Sequence, residues 1–278
     1  MEYKLIVYPT GKPIRLAGFG SGSGTNLRAL IEEEYKLKAI SGYSPFEMVF
    51  IFTDAPGSGC EHLAREHGIP HNSINIREIY ENSGKKISDS SIRRVVYSTL
   101  SDRLRDSGVD LIVLGGFMLR VDEPLLTDFR DRIINVHPAD LSILDENGQR
   151  IYAGGNAVYD ALRDGHRQTK SSIHIVNEDY DAGEILVQSK PLEAAGLEDV
   201  INNEERLVEF AKRHQEKQKG QCDWPAYITA VKMISCFEFL ISDKRHEIDP
   251  KCRVIYIDGE PLPYCGYQLG NEQNVELG

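Results

Sequence analysis

The chain is 278 residues long, enough to bury a sizeable core in one large domain or in two. Its net charge of −11 argues against an electrostatic nucleic-acid surface, because the most basic stretch, KRHQEKQK (212–219), is flanked by acids and reads as a solvated helix face. Five cysteines (Cys60, Cys222, Cys236, Cys252 and Cys265) show neither a CxxC nor a Cys/His zinc spacing, which excludes a patterned disulfide or zinc framework and points to reduced thiols.

The opening MEYKLIVYPTGKPIR has no signal-peptide core or cleavage site, and WPAYITAVKMISCFEFLI (224–241) is interrupted by Lys232 and Glu238. A cytoplasmic protein without membrane contact is therefore expected. IRLAGFG (14–20) reads as a short buried strand, and TNLRALIEEEYK (25–36) carries apolar residues at helical spacing. EMVFIFTD (47–54) is the second strand. SGCEHLAREHG (58–68) follows as a helix with Ser58 as N-cap and Gly68 as stop. HNSINI (71–76) reads as a third strand, and a polar loop over 81–88 leads into a long helix bearing RRVVYSTLSDRLRDSG (93–108). VDLIVLGG (109–116) has the unbroken apolar run of a strand covered on both faces. A short helix over 121–131 and the strand IINV (133–136) come next. SSIHIVN and EILVQSKPL (171–177, 184–192) fit two strands joined by a turn at NEDYDAG. Helices are expected near 199–219 and 224–240, and CRVIYIDGEPLP (252–263) closes as a hairpin-like strand turning at Asp258-Gly259. This alternation predicts an α/β fold: a doubly wound, mostly parallel, Rossmann-like sheet with helices on both faces, followed by C-terminal helices and a terminal strand.

Two segments carry chemistry. The first strand runs into GFGSGSGTNL (18–27) directly ahead of a helix, an arrangement that suits an anion: glycines admit backbone N–H groups and the helix N-terminus adds partial positive charge. The glycines give no G-x-G-x-x-G frame and no Lys follows them, so a phosphate on a small molecule fits better than a dinucleotide or a nucleoside triphosphate. In IINVHPADLS (133–142), Asn135 and His137 stand two apart on one side of a strand that Pro138 ends. An amide and an imidazole at a strand mouth occupy the place where open α/β sheets bind ligands; a packed core histidine at a turn is the alternative.

SGSGTNL (21–27), GGFMLRV (115–121), INVHP (134–138), SSIHIVNEDYDAGEILVQ (171–188) and IDGEPLPYCGY (257–267) together resemble the folate-dependent formyltransferases, most closely the branch that formylates glycinamide ribonucleotide. The resemblance spans nearly the whole chain. It implies a single formyltransferase domain over 1–278, with a phosphate-binding half (1–130) and a catalytic, folate-binding half (131–278). It implies 10-formyltetrahydrofolate as co-substrate, a phosphorylated amine as acceptor, no metal and no nucleic-acid partner, with a homodimer left open. Transferred position by position, it assigns catalysis to Asn135, His137 and Asp181, the substrate phosphate to Gly24, Thr25 and Asn26, and the folate to Met118, Leu119, Arg120 and Val121.

The catalytic trio is chemically coherent. Formyl transfer to an amine passes through a tetrahedral intermediate carrying an oxyanion, to which Asn135 and His137 can donate. A carboxylate at Asp181 is expected to raise the imidazole pKa and to accept the amine proton, directly or through water. Gly183 sets the frame on Asp181 rather than on Asp179. His174 is expected to be a packed strand histidine, and His62, His67 and His71 surface residues. The chain departs from the family in ADLSILDENGQRIYAGGNAVYDAL (139–162), which is longer and lacks two family histidines; Gly154 or Gly155 is expected to keep the turn there. It departs again ahead of Trp224, where Glu216 is the candidate substrate contact at altered spacing. These departures leave two alternatives: transfer to another small amine, such as a nucleotide-linked amino sugar, or hydrolysis of formyltetrahydrofolate.

Overall fold

The structure is a computed structural model and describes residues 2–270. In chain order the elements are β1 (Tyr3–Leu5), β2 (Ile14–Phe19), α1 (Thr25–Ser41), β3 (Phe46–Thr53), α2 (Gly59–Glu66), β4 (His71–Ser73), α3 (Ile76–Ser83), α4 (Ser91–Asp106), β5 (Leu111–Leu114), α5 (Leu125–Asp128) and β6 (Ile133–His137). Then come α6 (Ala157–Arg163), β7 (Gln168–Thr169), β8 (Ser172–Ile175), β9 (Ile185–Gln188), β10 (Leu192–Glu193), α7 (Glu204–Gln218), α8 (Trp224–Ser235), β11 (Leu240–Arg245), β12 (Arg253–Ile257), β13 (Glu260–Pro261) and β14 (Tyr267–Gln268). Two compact units result: residues 7–135 with 176–178, and the remainder.

In the first unit the strands lie in the order β4-β3-β2-β5-β6, all parallel. All four residues of β5 are buried, as an apolar strand covered on both faces requires. Around it pack Phe19, Phe52, Tyr97, Leu100 and Phe129, with the Phe19 and Phe52 rings 5.1 Å apart. The chain starts in the middle at β2, moves outward to β4, and returns to β5 on the other side of β2. The direction of winding thus reverses between β2 and β5, and a crevice opens at the carboxyl ends of strands flanking such a switch point. The glycine loop leaves β2 there, and Gly115–Val121 leaves β5. The two are stitched together: Ser21 N–H donates to the Gly116 carbonyl (3.1 Å) and Met118 N–H to the Ser21 hydroxyl (2.9 Å).

In the second unit β8 pairs antiparallel with β9, and β9 parallel with β14, in the order β14-β9-β8-β6 that includes the end of β6. A separate antiparallel sheet has the order β1-β11-β12-β13. Its β12–β13 turn is Asp258-Gly259, both with positive φ (52° and 82°), the geometry of a tight two-residue hairpin.

Two segments differ from the sequence expectation. The stretch read as strand end and polar loop contains the helix α3, because Asn75 caps it by accepting the Glu78 N–H (3.1 Å) while Ile76 and Tyr80 are buried at i, i+4 spacing. The last helix stops at Ser235 instead of running to 240. Phe237 takes a left-handed φ of 62°, and Leu240–Arg245 becomes a strand between β1 and β12, a pairing invisible to local periodicity. Ser58 stands at the N-cap of α2 without capping it; its hydroxyl bonds Thr53 Oγ1 (2.9 Å) instead. Among the described residues no helix is long and apolar enough to cross a membrane, and no group of three or more His, Cys, Asp or Glu is placed to hold a metal.

Candidate active site

β6 carries Asn135 and His137 two residues apart, with Asn135 opposite Leu114 of β5. Beyond it, β8 ends at Ile175 and β9 begins at Ile185; between them the chain makes the turn that bears Asp181. The turn is sterically specified. Asp181 sits at φ 47°, and a Cβ on Gly183 would lie 1.9 Å from the Ile175 carbonyl oxygen, so residue 183 must be glycine. Asp179 is exposed, whereas Asp181 is partly buried.

The Asp181 carboxylate lies between two imidazoles. Its Oδ2 is 3.4 Å from His137 Nδ1 and accepts the Gly154 N–H at 2.9 Å; its Oδ1 is 3.3 Å from His174 Nε2. His137 Nε2 donates to the Tyr152 carbonyl (2.7 Å), and His174 Nδ1 to the Ile175 carbonyl (2.9 Å). Both rings are buried.

Burial pushes the Asp181 carboxyl upward. The hydrogen bond from His174, the charges of both imidazoles and the Gly154 N–H outweigh it, holding the group well below the usual carboxylate range. For His137, burial dominates and lowers the pKa, opposed by the Asp181 charge and the Tyr152 carbonyl. The Asp181 charge does raise the His137 pKa, as the sequence led us to expect, but desolvating a cation in so closed a place costs more than one carboxylate returns. The two directions are in tension, because imidazole charge helps hold Asp181 low while burial removes that charge from His137. Both His137 ring nitrogens face oxygen acceptors, Nε2 the Tyr152 carbonyl and Nδ1 the Asp181 carboxylate. Asp181 remains ionised regardless, since the Gly154 N–H needs no charge to donate.

The glycine loop and the start of α2 leave no room for a side chain at two points, although Gly22 has open space around it. A Cβ on Gly20 would lie 2.5 Å from Cys60 Sγ, and one on Gly59 would lie 2.4 Å from the Ser23 carbonyl. Gly24 is the N-cap of α1 at φ 73°, no side chain caps that helix, and no acid lies in its first turn. The first-turn N–H groups at Thr25 and Asn26 thus meet an anion's requirements, and the buried Asn26 side-chain oxygen has no hydrogen-bond partner. At the end of β5, Leu119 and Val121 are buried in the core while Met118 and Arg120 are exposed, so that segment offers mainly its backbone to a ligand. Tyr97 fixes it by donating to the Arg120 carbonyl (2.9 Å), and Arg93 by pairing with Asp122 (2.6 Å). Glu216 lies on the exposed face of α7, paired with Lys219 at 2.5 Å.

Sequence reasoning missed the part played by His174, whose mid-strand position among apolar residues looks like packing. The available signal was spatial. β8 precedes the Asp181 turn directly, so a histidine near its end lies within reach of that turn. Tyr152 and Gly154 contribute backbone groups, which no residue type announces.

The match to the formyl transferase family runs over residues 14–216, and the chain belongs to that family. The chain is related to phosphoribosylglycinamide formyltransferases. It is 34% identical over 176 residues to the chloroplastic phosphoribosylglycinamide formyltransferase of Arabidopsis thaliana, a match covering 63% of this chain and about half (54%) of that relative's length. It is 27% identical over 253 residues to the phosphoribosylglycinamide formyltransferase of Haemophilus influenzae, covering 91% of this chain and 98% of the relative. The solved structure of the Coxiella burnetii phosphoribosylglycinamide formyltransferase in complex with CHES shares the fold, with a TM-score of 0.66 at 22% identity over 92% of this chain and 99% of that one.

Proposed function

We propose that this chain transfers the formyl group of 10-formyltetrahydrofolate to the amine of glycinamide ribonucleotide, a step of purine biosynthesis, with Asn135, His137 and Asp181 as its catalytic residues. The observation that carries the reading is the Asp181 carboxylate held against the His137 imidazole, two residues after Asn135 on the same strand. The near-full-length similarity to the Haemophilus relative supports the choice of acceptor.

The amine nitrogen bonds to the formyl carbon and the carbonyl oxygen takes up negative charge. The Asn135 amide donates to that oxygen, and so does the His137 ring once its Nε2–H turns from the Tyr152 carbonyl. Developing negative charge offsets the burial that lowers the ring pKa and strengthens the donated bond. Asp181, ionised, accepts the proton shed by the amine, directly or through water. The bond from carbon to the folate nitrogen then breaks, and that nitrogen takes the proton. The ribonucleotide phosphate binds at Gly24, Thr25 and Asn26 on the N-terminus of α1, and the folate ring lies against the backbone of Met118–Val121.

The test is incubation with 10-formyltetrahydrofolate, with and without glycinamide ribonucleotide, following deformylated folate. Release that requires the ribonucleotide is expected. Release without any amine overturns the reading in favour of a hydrolase, and release only with a different amine overturns the acceptor.

A further inference from the structure

Three consecutive carbonyls of the Asp181 turn are held by side chains from elsewhere in the chain. Arg150 Nη1 donates to the Asp181 carbonyl (2.5 Å) and Nη2 to the Gly183 carbonyl (2.9 Å). Between them, the Cys252 thiol donates to the Ala182 carbonyl (3.3 Å), and Arg150 Nη2 lies 3.6 Å from Cys252 Sγ. The guanidinium is itself fixed. Its Nε donates to the Tyr264 hydroxyl (3.1 Å), it lies 5.5 Å from the Tyr264 ring centroid, and that hydroxyl donates to the Asp249 carboxylate (3.1 Å). Burial pushes the Cys252 thiol up to about 12, so it acts as a neutral donor.

The turn needs such support. Asp181 occupies the left-handed region at φ 47°, which costs a residue with a Cβ about 1–2 kcal/mol. At Gly183 the Ile175 carbonyl fills the space a side chain would need. Released from Arg150, the peptide units on either side of Asp181 are free to rotate toward an ordinary conformation, carrying the carboxylate away from His137 and His174. A planar fork spanning two carbonyls resists that rotation; a point charge on a flexible stem does not.

We propose that Arg150, assisted by Cys252, is a positioning residue that fixes the direction of the Asp181 carboxylate, an assignment that rests on the catalytic reading of Asp181 given above. It touches no reacting atom. It comes from the 139–162 segment, where the sequence departs from the family pattern, and the same segment supplies the Tyr152 carbonyl to His137 and the Gly154 N–H to Asp181.

The test combines steady-state kinetics of Arg150→Ala and Arg150→Lys with the titration of His137 followed by NMR of the ring nitrogens. For Arg150→Ala, kcat is expected to fall about 100-fold, the scale set by an ångström of misplacement. KM for both substrates is expected to stay within about two-fold, because no binding contact is removed. The His137 midpoint is expected to move lower still, since the carboxylate that raises it has turned away. Arg150→Lys should lie between the two, and added guanidinium should restore part of the Ala variant's kcat. A kcat per folded molecule within about two-fold of the parent, with an unmoved His137 midpoint, overturns the proposal even if the melting temperature drops. So does a raised KM at unchanged kcat. If Arg150→Ala does not fold, Arg150→Lys and Cys252→Ala carry the same two readouts. Absence of formyl transfer in the parent protein overturns the functional reading instead, and the His137 titration still decides whether Arg150 aims Asp181.

Discussion

The glycine loop after β2 and the Asp181 turn after β8 are both irregular and both contain a left-handed residue, yet they are held in opposite ways. The loop is held by backbone against backbone: Gly20 N–H on the Phe52 carbonyl (3.1 Å), Ser21 N–H on the Gly116 carbonyl, and Cys60 N–H on the Gly22 carbonyl (3.2 Å). Missing side chains are what allow those approaches. The Asp181 turn is held by side chains, with Arg150 and Cys252 on its carbonyls and two histidines on its carboxylate. Part of its framing is again backbone, from Gly154 and Ile175. One segment is built by removing atoms and the other by importing charged and polar groups, so the two should fail differently.

Substituting the glycines exposes that difference most sharply. Gly183→Ala places a methyl against a carbonyl that no rotamer change can move; destabilisation of about 3 kcal/mol is expected in chemical denaturation, the upper part of the usual range for overpacking. Its kcat should fall as well, because the Asp181 turn must deform to admit the methyl. Gly24→Ala is milder. The left-handed φ costs about 1–2 kcal/mol, and the new methyl meets Cys60 backbone atoms at 3.3 Å. Its signature in kinetics should be a raised KM for the phosphorylated substrate with kcat nearly kept. If both variants lose kcat and keep KM, the division between an anion-holding loop and a catalytic turn is wrong.

The smallest expected effect concerns pH. Burial holds His137 below its ordinary value, and His214 and His246 are lowered by burial as well. An unfolded chain protonates near pH 6.5 while the native rings resist. The neutral-ring contribution to stability is therefore fully present above that pH and is lost as pH falls toward the native values. Asp181 adds nothing in this window, because its carboxyl is ionised in both states until far lower pH. The melting temperature should decline between pH 7.5 and 5.5, and His137→Asn should flatten that slope even if it shifts the curve as a whole. An unchanged slope means His137 titrates in the native state as it does in the unfolded chain.

The same contrast governs what the sequence made legible. Glycines at Gly18, Gly20, Gly22 and Gly24 ahead of an amphipathic helix mark a tight strand-to-helix loop from composition alone. The parallel core was readable too, because β5 is an unbroken apolar run, β6 opens on two isoleucines, and Pro138 must end the ladder. Asn135 and His137 stood out as an amide and an imidazole two apart at a strand end and Asp181 only through the family's spacing, while the 3.4 Å approach of Asp181 to His137 depends on the pairing of β8 with β9. His174 and Arg150 looked like an ordinary strand histidine and an ordinary loop arginine, since their importance lies in what the fold brings to them. The strand β11 escaped for a related reason: it exists through pairing with β1, more than 200 residues earlier in the chain.

The central claim, that the imidazole and the carboxylate act as one catalytic unit, is tested most directly by a double-substitution cycle on kcat/KM with His137→Asn, Asp181→Asn and the pair. Each single change is expected to cost about 10²–10⁴-fold, the range for losing a general acid or base. The double variant should be no slower than the slower single one, because removing either partner already disables the unit. Losses that multiply would show two residues working independently and would contradict the account.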